Sequence, residues 1–133
     1  MNIVILGATG GIGSCLSKEL SLKNNLFIGY RDNEKYDHLK STINSQNLFS
    51  GEIIDINDFD FSKNFLNNAN NHMGSIDCII SCLGSLLLKP AHLTSEDDLI
   101  NVFNTNVFSS FSIIKHSFKH LRKDGGNLIF FSS

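Results

Sequence analysis

Along the chain, short apolar runs alternate with amphipathic stretches, and the period of the hydrophobic positions switches as they do. Residues 2–6 are an apolar run that stops at Gly7, which predicts a strand. Ile12, Leu16 and Leu20 then recur every fourth residue, one stripe on a helix of about three turns. Residues 26–30 predict a second strand, the polar stretch 32–47 a weak helix, and residues 48–54 a third strand closed by Asp55. Between Asp58 and Met73 the spacing of Phe61, Phe65, Leu66 and Ala69 predicts another helix with those four as its buried side. Residues 76–82 are apolar almost throughout, as a central parallel strand should be. Thr94 or Ser95 can cap a long helix whose first turn carries Glu96, Asp97 and Asp98. It is expected to run to Leu121 with room for a break, and along it Ile100, Phe103, Val107, Phe111, Ile114, Phe118 and Leu121 follow a 3–4 rhythm and are expected to cover the sheet. Gly125-Gly126 ends that segment, and residues 128–131 predict a fifth strand.

Strand alternating with helix in this way predicts an α/β domain whose parallel sheet is covered on both faces. Right-handed crossovers then give strand order 3-2-1-4-5, with a ligand crevice above the first and fourth strands. No repeat, linker or low-complexity segment interrupts residues 1–133, so they are expected to form one domain. The 41% hydrophobic and 18% charged content fits a chain with a buried core. A net charge of −2 with no basic cluster argues against nucleic acid and acidic membranes as partners. Cys15, Cys78 and Cys82 have no metal-ligand spacing, and each lies in an apolar stretch. They are expected to be buried free thiols in a reducing compartment, with no metal site. The first apolar run is too short for a signal peptide or a membrane span, so a cytoplasmic location is expected.

Candidate chemistry begins at Gly7-Ala8-Thr9-Gly10-Gly11-Ile12-Gly13, between the first strand and the first helix. Such a turn lets backbone approach a diphosphate closely, and the helix beyond it directs N–H groups and partial positive charge at the anion. A side chain at Gly11 or Gly13 would fill that space or push helix from strand. The spacing fits two templates, G-x-x-x-G-x-G and G-x-x-G-x-x-G, and the loop does not choose between them. The fold class is therefore expected to be a Rossmann-type doubly wound parallel sheet with a nicotinamide dinucleotide at its crevice, truncated after its fifth strand. At the end of the second strand, Tyr30-Arg31-Asp32 faces the adenine ribose. Arg31 comes first with no acid ahead of it, which favours NADP(H) over NAD(H); a shift of one residue would put Asp32 at the ribose and reverse the preference.

From first residue to last, the chain resembles the short-chain dehydrogenase/reductase family. The glycine loop matches the main branch of the family in one template and the extended, epimerase-like or sensor-like branches in the other. Asp55-Ile56 resembles the family's acidic residue and following amide that bind the adenine amino group. Cys82-Leu83-Gly84 stands, after Ser81, in place of the family's N-N-A-G segment, with only the glycine unchanged, which leaves backbone contacts to the cofactor ribose. Asn106 matches the helix asparagine that holds a water in the proton relay, and its place in a helix asks for a reason, since Asn competes there for backbone hydrogen bonds. Residues 126–133 resemble the fifth strand, and the catalytic serine would be Ser133.

The resemblance implies an oxidoreductase that moves hydride between nicotinamide and a carbonyl/alcohol substrate, in a homo-oligomer with Phe108 near the contact. The family's tyrosine and lysine would fall about a dozen residues beyond Ser133, by that resemblance, and Tyr30 and Tyr36 belong to the cofactor side. The chain is therefore expected to be a fragment or the product of a defective gene, inactive by itself. Two other readings stay open: a non-catalytic NADPH-binding sensor module, and an extended-branch enzyme of epimerase type.

Overall fold

The computed structural model describes residues 1–121 and 125–132. Five strands run parallel: β1 (Asn2–Leu6), β2 (Asn25–Tyr30), β3 (Phe49–Ile53), β4 (Cys78–Ser81) and β5 (Asn127–Phe130). Their order is β3-β2-β1-β4-β5, as right-handed crossovers require. Between them lie α1 (Gly11–Ser21), α2 (Asn33–Thr42), α3 (Phe61–Met73), α4 (Glu96–Phe103) and α5 (Ser109–Leu121). β1 is central, pairing Ile3 with Leu26 on one side and with Cys78 on the other.

Alternation along the strands feeds two cores. Ile3, Ile5, Leu26 and Ile28 are buried with Leu39 of α2, and half-buried Leu16 and Leu20 of α1 pack against them. Val4, Leu6, Phe27 and Ile79 meet Phe61, Phe65, Leu66 and Ala69 of α3 and Ile113 of α5. Each large aliphatic side chain fully removed from water contributes about 1.5–3 kcal/mol, so the two layers together hold the sheet between the helices. The buried side of α3 is the one its spacing predicts.

Three expectations need correction. In α1 the residues turned fully inward are Gly13, Ser17 and Ser21, while Ile12 is exposed. Small residues at that spacing let the helix backbone come close to the sheet. Cys15 is exposed, whereas Cys78 is buried and Cys82 half-buried. The long helix of residues 95–121 takes the break that its reading allowed, a π-helical turn, Asn104–Phe108, between α4 and α5. That wide turn resets the helical phase. The apolar stripe expected to cover the sheet faces outward: Phe103, Phe111, Ile114 and Phe118 are each at least half exposed. The inner face of α5 is instead Ser109, Ser112, Ile113 and Ser117, because α5 lies closely against α3, where small side chains fit. Of the two candidate caps, Ser95 is the one used, in a capping box with Asp98.

Candidate functional site

A cleft of about 720 Å³ opens beyond the C-terminal ends of β1 to β4. Its floor is the glycine loop. Gly7 has φ +73°, a conformation that favours glycine, and a Cβ there would lie 3.0 Å from the Cys82 carbonyl carbon and oxygen. The Gly7 and Ala8 N–H groups both donate to the Gly29 carbonyl, at 3.0 and 3.2 Å, which folds the loop back over β2. A Cβ on Gly13 would sit 2.3 Å from the Gly7 carbonyl oxygen and 2.7 Å from Ala8 Cα, so α1 reaches the loop only because this residue has no side chain. A Cβ on Gly11 would meet nothing within 4 Å, so the packing half of the Gly11 expectation does not hold; its surface is open. Gly10, the N-cap of α1, offers no side-chain cap, and the first turn carries no acid. An uncapped helix start above an open glycine surface is a cradle that fits a diphosphate.

Ten residues singled out from the sequence line this cleft: Gly7, Thr9, Gly10, Tyr30, Arg31, Asp55, Ile56, Cys82, Leu83 and Gly84. Gly11, Ile12 and Gly13 lie at the adjoining start of α1 and are not part of its wall. Asn106 is exposed and does not line the cleft, and Ser133 lies outside the described residues. Sequence reasoning missed Lys35, Asn57, Ser85, Leu86, Leu87, Asp98, Asn101, Val102 and Thr105, which also line it. Lys35 could have been found as a cation on the first turn after Arg31. The α4 residues could not, because the hydrophobic period does not tell where a helix crosses a crevice.

At the end of β2 the two charged residues have different occupations. Asp32 caps α2, its Oδ1 accepting the Lys35 N–H at 3.2 Å. Arg31 is exposed at the cleft and has no ion-pair partner among the described residues. Beside them the Tyr30 ring stacks on Tyr36 at 4.2 Å, and burial pushes the Tyr30 hydroxyl pKa up. Burial likewise raises the Cys82 thiol.

Asp55 turns the chain after β3: its Oδ1 accepts the Asn57 backbone N–H at 3.0 Å and the Asn57 side-chain amide at 3.1 Å. Asn57 Oδ1 in turn accepts from Asn104 Nδ2 at 3.3 Å, tying this wall to the π-helical turn. The mid-helix asparagine has its reason as well. Asn106 Oδ1 accepts the Ser85 N–H at 2.8 Å while its Nδ2 donates to the Ser85 carbonyl at 2.9 Å, so one side chain pins the loop after β4. Ser109 and Ser110 donate to the Thr105 and Asn106 carbonyls, and Thr105 to that of Asn101, which supplies partners where the turn widens. On the far rim Asp98 Oδ2 accepts from Lys89 Nζ at 2.5 Å and from the Ser95 N–H and hydroxyl, which holds its carboxyl at about 2.

Comparison with known proteins agrees with this geometry. A family model described as short chain dehydrogenase matches residues 1–133. A hydroxynaphthalene reductase-like protein Arp2 of Metarhizium brunneum is 29% identical over 136 residues, covering 98% of this chain and 49% of that protein. An uncharacterized oxidoreductase of Schizosaccharomyces pombe is 36% identical over 62 residues, 47% of this chain and 26% of that one. Among solved structures, a short-chain dehydrogenase/reductase from Serratia marcescens superposes with a TM-score of 0.90 at 22% identity, covering 98% of this chain and 54% of that one. A citronellol catabolism dehydrogenase of Pseudomonas aeruginosa gives 0.85 at 23% identity, over 97% and 54%. The chain spans about half the length of the curated relatives it matches over its whole extent. With a parallel sheet in the order β3-β2-β1-β4-β5 and a glycine cradle at its crevice, the chain belongs to the short-chain dehydrogenase/reductase family.

Proposed function

We propose that residues 1–133 are the cofactor-binding domain of an NADP(H)-preferring oxidoreductase acting on a carbonyl/alcohol pair. The observation that carries this reading is the glycine loop: backbone contact at Gly13, open surface at Gly11, and an uncapped α1 directly behind. A bound nicotinamide would supply or take up the hydride. In this reading Gly7, Thr9, Gly10, Gly11, Ile12 and Gly13 hold the diphosphate. Asp55 and Ile56 meet the adenine, and the backbone of Cys82, Leu83 and Gly84 meets a ribose. Asn106 positions the loop at Ser85, and Ser133 donates a hydrogen bond to the substrate carbonyl.

The cofactor preference rests on Arg31 and Asp32. Asp32 already caps α2, and the Arg31 guanidinium, without an ion-pair partner among the described residues, is the group suited to a 2′-phosphate. Tyr30 and Tyr36 stack on one another beside β2, so in this reading neither is the proton donor for the carbonyl oxygen. The outward apolar face of α4 and α5 supports a homo-oligomer of the whole protein with Phe108 at the contact. The three free cysteines fit a reducing, cytoplasmic setting. Titration with NADPH and NADH tests the reading. Arg31→Glu should weaken NADPH roughly ten- to hundredfold and leave NADH nearly unchanged. Equal losses for both would remove Arg31 from the ribose and leave Asp32 in its place. Residues 1–133 alone should show no carbonyl reduction with saturating NADPH, and turnover by them would refute the assignment of the proton donor.

A further inference from the structure

The seam between α3 and α5 holds a line of polar groups that cofactor binding does not use. Ser62 and Ser112, both fully buried, bring their hydroxyl oxygens to 2.6 Å. Ser112 Oγ lies 2.5 Å from the Phe59 carbonyl oxygen, and Ser62 Oγ lies 2.7 Å from His116 Nδ1. A longer contact of 3.4 Å joins Ser112 Oγ to the same ring nitrogen. The other ring nitrogen, Nε2, stands 3.5 Å from Asp60 Oδ1 at the rim. Asp60 is the N-cap residue of α3, yet its side chain makes no cap hydrogen bond. Phe59 is itself fixed on α5, its ring 6.2 Å from that of Phe111 and under Lys115 Nζ at 5.2 Å.

Counting hydrogens along this line gives it a direction. A carbonyl only accepts, so the contact with Phe59 takes the Ser112 proton. The contact between the two hydroxyls then needs the proton of Ser62. The contact between Ser62 and the ring therefore needs a hydrogen on Nδ1. Any other arrangement leaves two lone pairs facing each other at under 3 Å in a buried site, which costs the desolvation of an unmet acceptor.

We infer that the chain Phe59–Ser112–Ser62 holds His116 as the Nδ1–H tautomer and leaves its link to Asp60 as the pH-responsive contact of the α3–α5 seam. Protonation adds a hydrogen at Nε2, aimed at Asp60, and disturbs none of the three inner contacts. The charged groups facing the ring are Asp60 and Lys63 from α3 and Lys115 from α5. Burial pushes the imidazole below its ordinary value, Asp60 opposes that, and Lys115 and Lys63 add to it. A folded value below the unfolded one means that the unfolded chain binds the proton more readily. This group therefore lowers stability as pH falls from the ordinary value toward the folded one, and the link to Asp60 limits the loss. In the chain, Asp60 follows Asp55 and Asn57 of the cleft wall by a few residues.

Long-range ¹H–¹⁵N correlation on protein carrying ring-¹⁵N histidine reads the tautomer directly, with His116→Gln identifying the resonances. At about pH 7.5 the expected result is a protonated Nδ1 and a bare Nε2, with Nε2 carrying almost all of the shift on acidification. A bare Nδ1 in the unaltered protein would overturn the inference. Ser112→Ala removes the acceptor of Ser62, frees that hydroxyl to donate to Nδ1, and should convert the ring to Nε2–H; retention of Nδ1–H would show that the chain does not set the tautomer. Asp60→Asn should move the His116 titration to lower pH without changing the tautomer, and an unmoved titration would refute the link. The measurement on the unaltered protein stands even where a variant folds poorly.

Discussion

Gly13→Ala separates the packing role of the glycine loop from its binding role when set beside Gly11→Ala. The new Cβ at position 13 would lie 2.3 Å from the Gly7 carbonyl oxygen, where ordinary contact begins near 3.4 Å. It would also lie 2.7 Å from Ala8 Cα and 3.0 Å from the Ala8 carbonyl carbon. All three neighbours are backbone, so no side chain can turn aside, and α1 must move away from the loop by about an ångström. Overpacking of that kind costs about 1–3 kcal/mol, a large share of the roughly 5–15 typical of a domain. In urea the midpoint should fall by on the order of 1–2 M with an unchanged slope. At position 11 the same methyl meets no protein atom, and stability should stay within about 0.5 kcal/mol of the parent. Calorimetric titration with NADPH should nonetheless show at least about a tenfold loss for Gly11→Ala, because the methyl occupies the surface proposed for the diphosphate. An unmoved urea midpoint for Gly13→Ala would refute the packing argument. Full NADPH affinity in Gly11→Ala would take the diphosphate off this surface.

Two further outcomes follow from other parts of the molecule. Asp98 ionises at about 2 instead of its ordinary 3.8, through Lys89 and Ser95, so its contribution is present above about pH 4 and is lost as pH falls through 2. Acid unfolding followed by circular dichroism should show Asp98→Asn less stable than the parent near neutrality, with the gap closing as pH falls to 2 and below; a constant gap across that range would contradict the coupling. If the proposed oligomer forms through the outward face of α4, the π-helical turn and α5, Phe108→Glu should dissociate it in sedimentation of the whole protein at tens of micromolar, as one charge would enter that contact. A parent already monomeric, with mass and solubility unaltered in the variant, would leave the oligomer without support.

The order of elements, the strand order and the glycine cradle were set by local signals. A run such as residues 2–6 ending at Gly7 needs only the strand period and one permissive residue to be recognised, and right-handed crossovers do the rest. Ten of the expected cleft residues line the cleft for the same reason: in a parallel sheet every strand's C-terminal end comes to one edge. The inward face of α5 was not legible. Its apolar stripe is genuine in the sequence, yet close approach to α3 selects the serines and Ile113, and the π-helical turn breaks the phase on which a continuous stripe depends. The occupation of Asn106 on the Ser85 backbone, and of Ser62, Ser112 and His116 on one another, depends on partners up to 54 residues apart. Sequence by itself determined which groups would stand at the edge of the sheet, because period and chirality are local. Only the tertiary structure decided which polar groups would meet, because a hydrogen bond across distant segments exists only once helix packing has brought both ends to within about 3 Å.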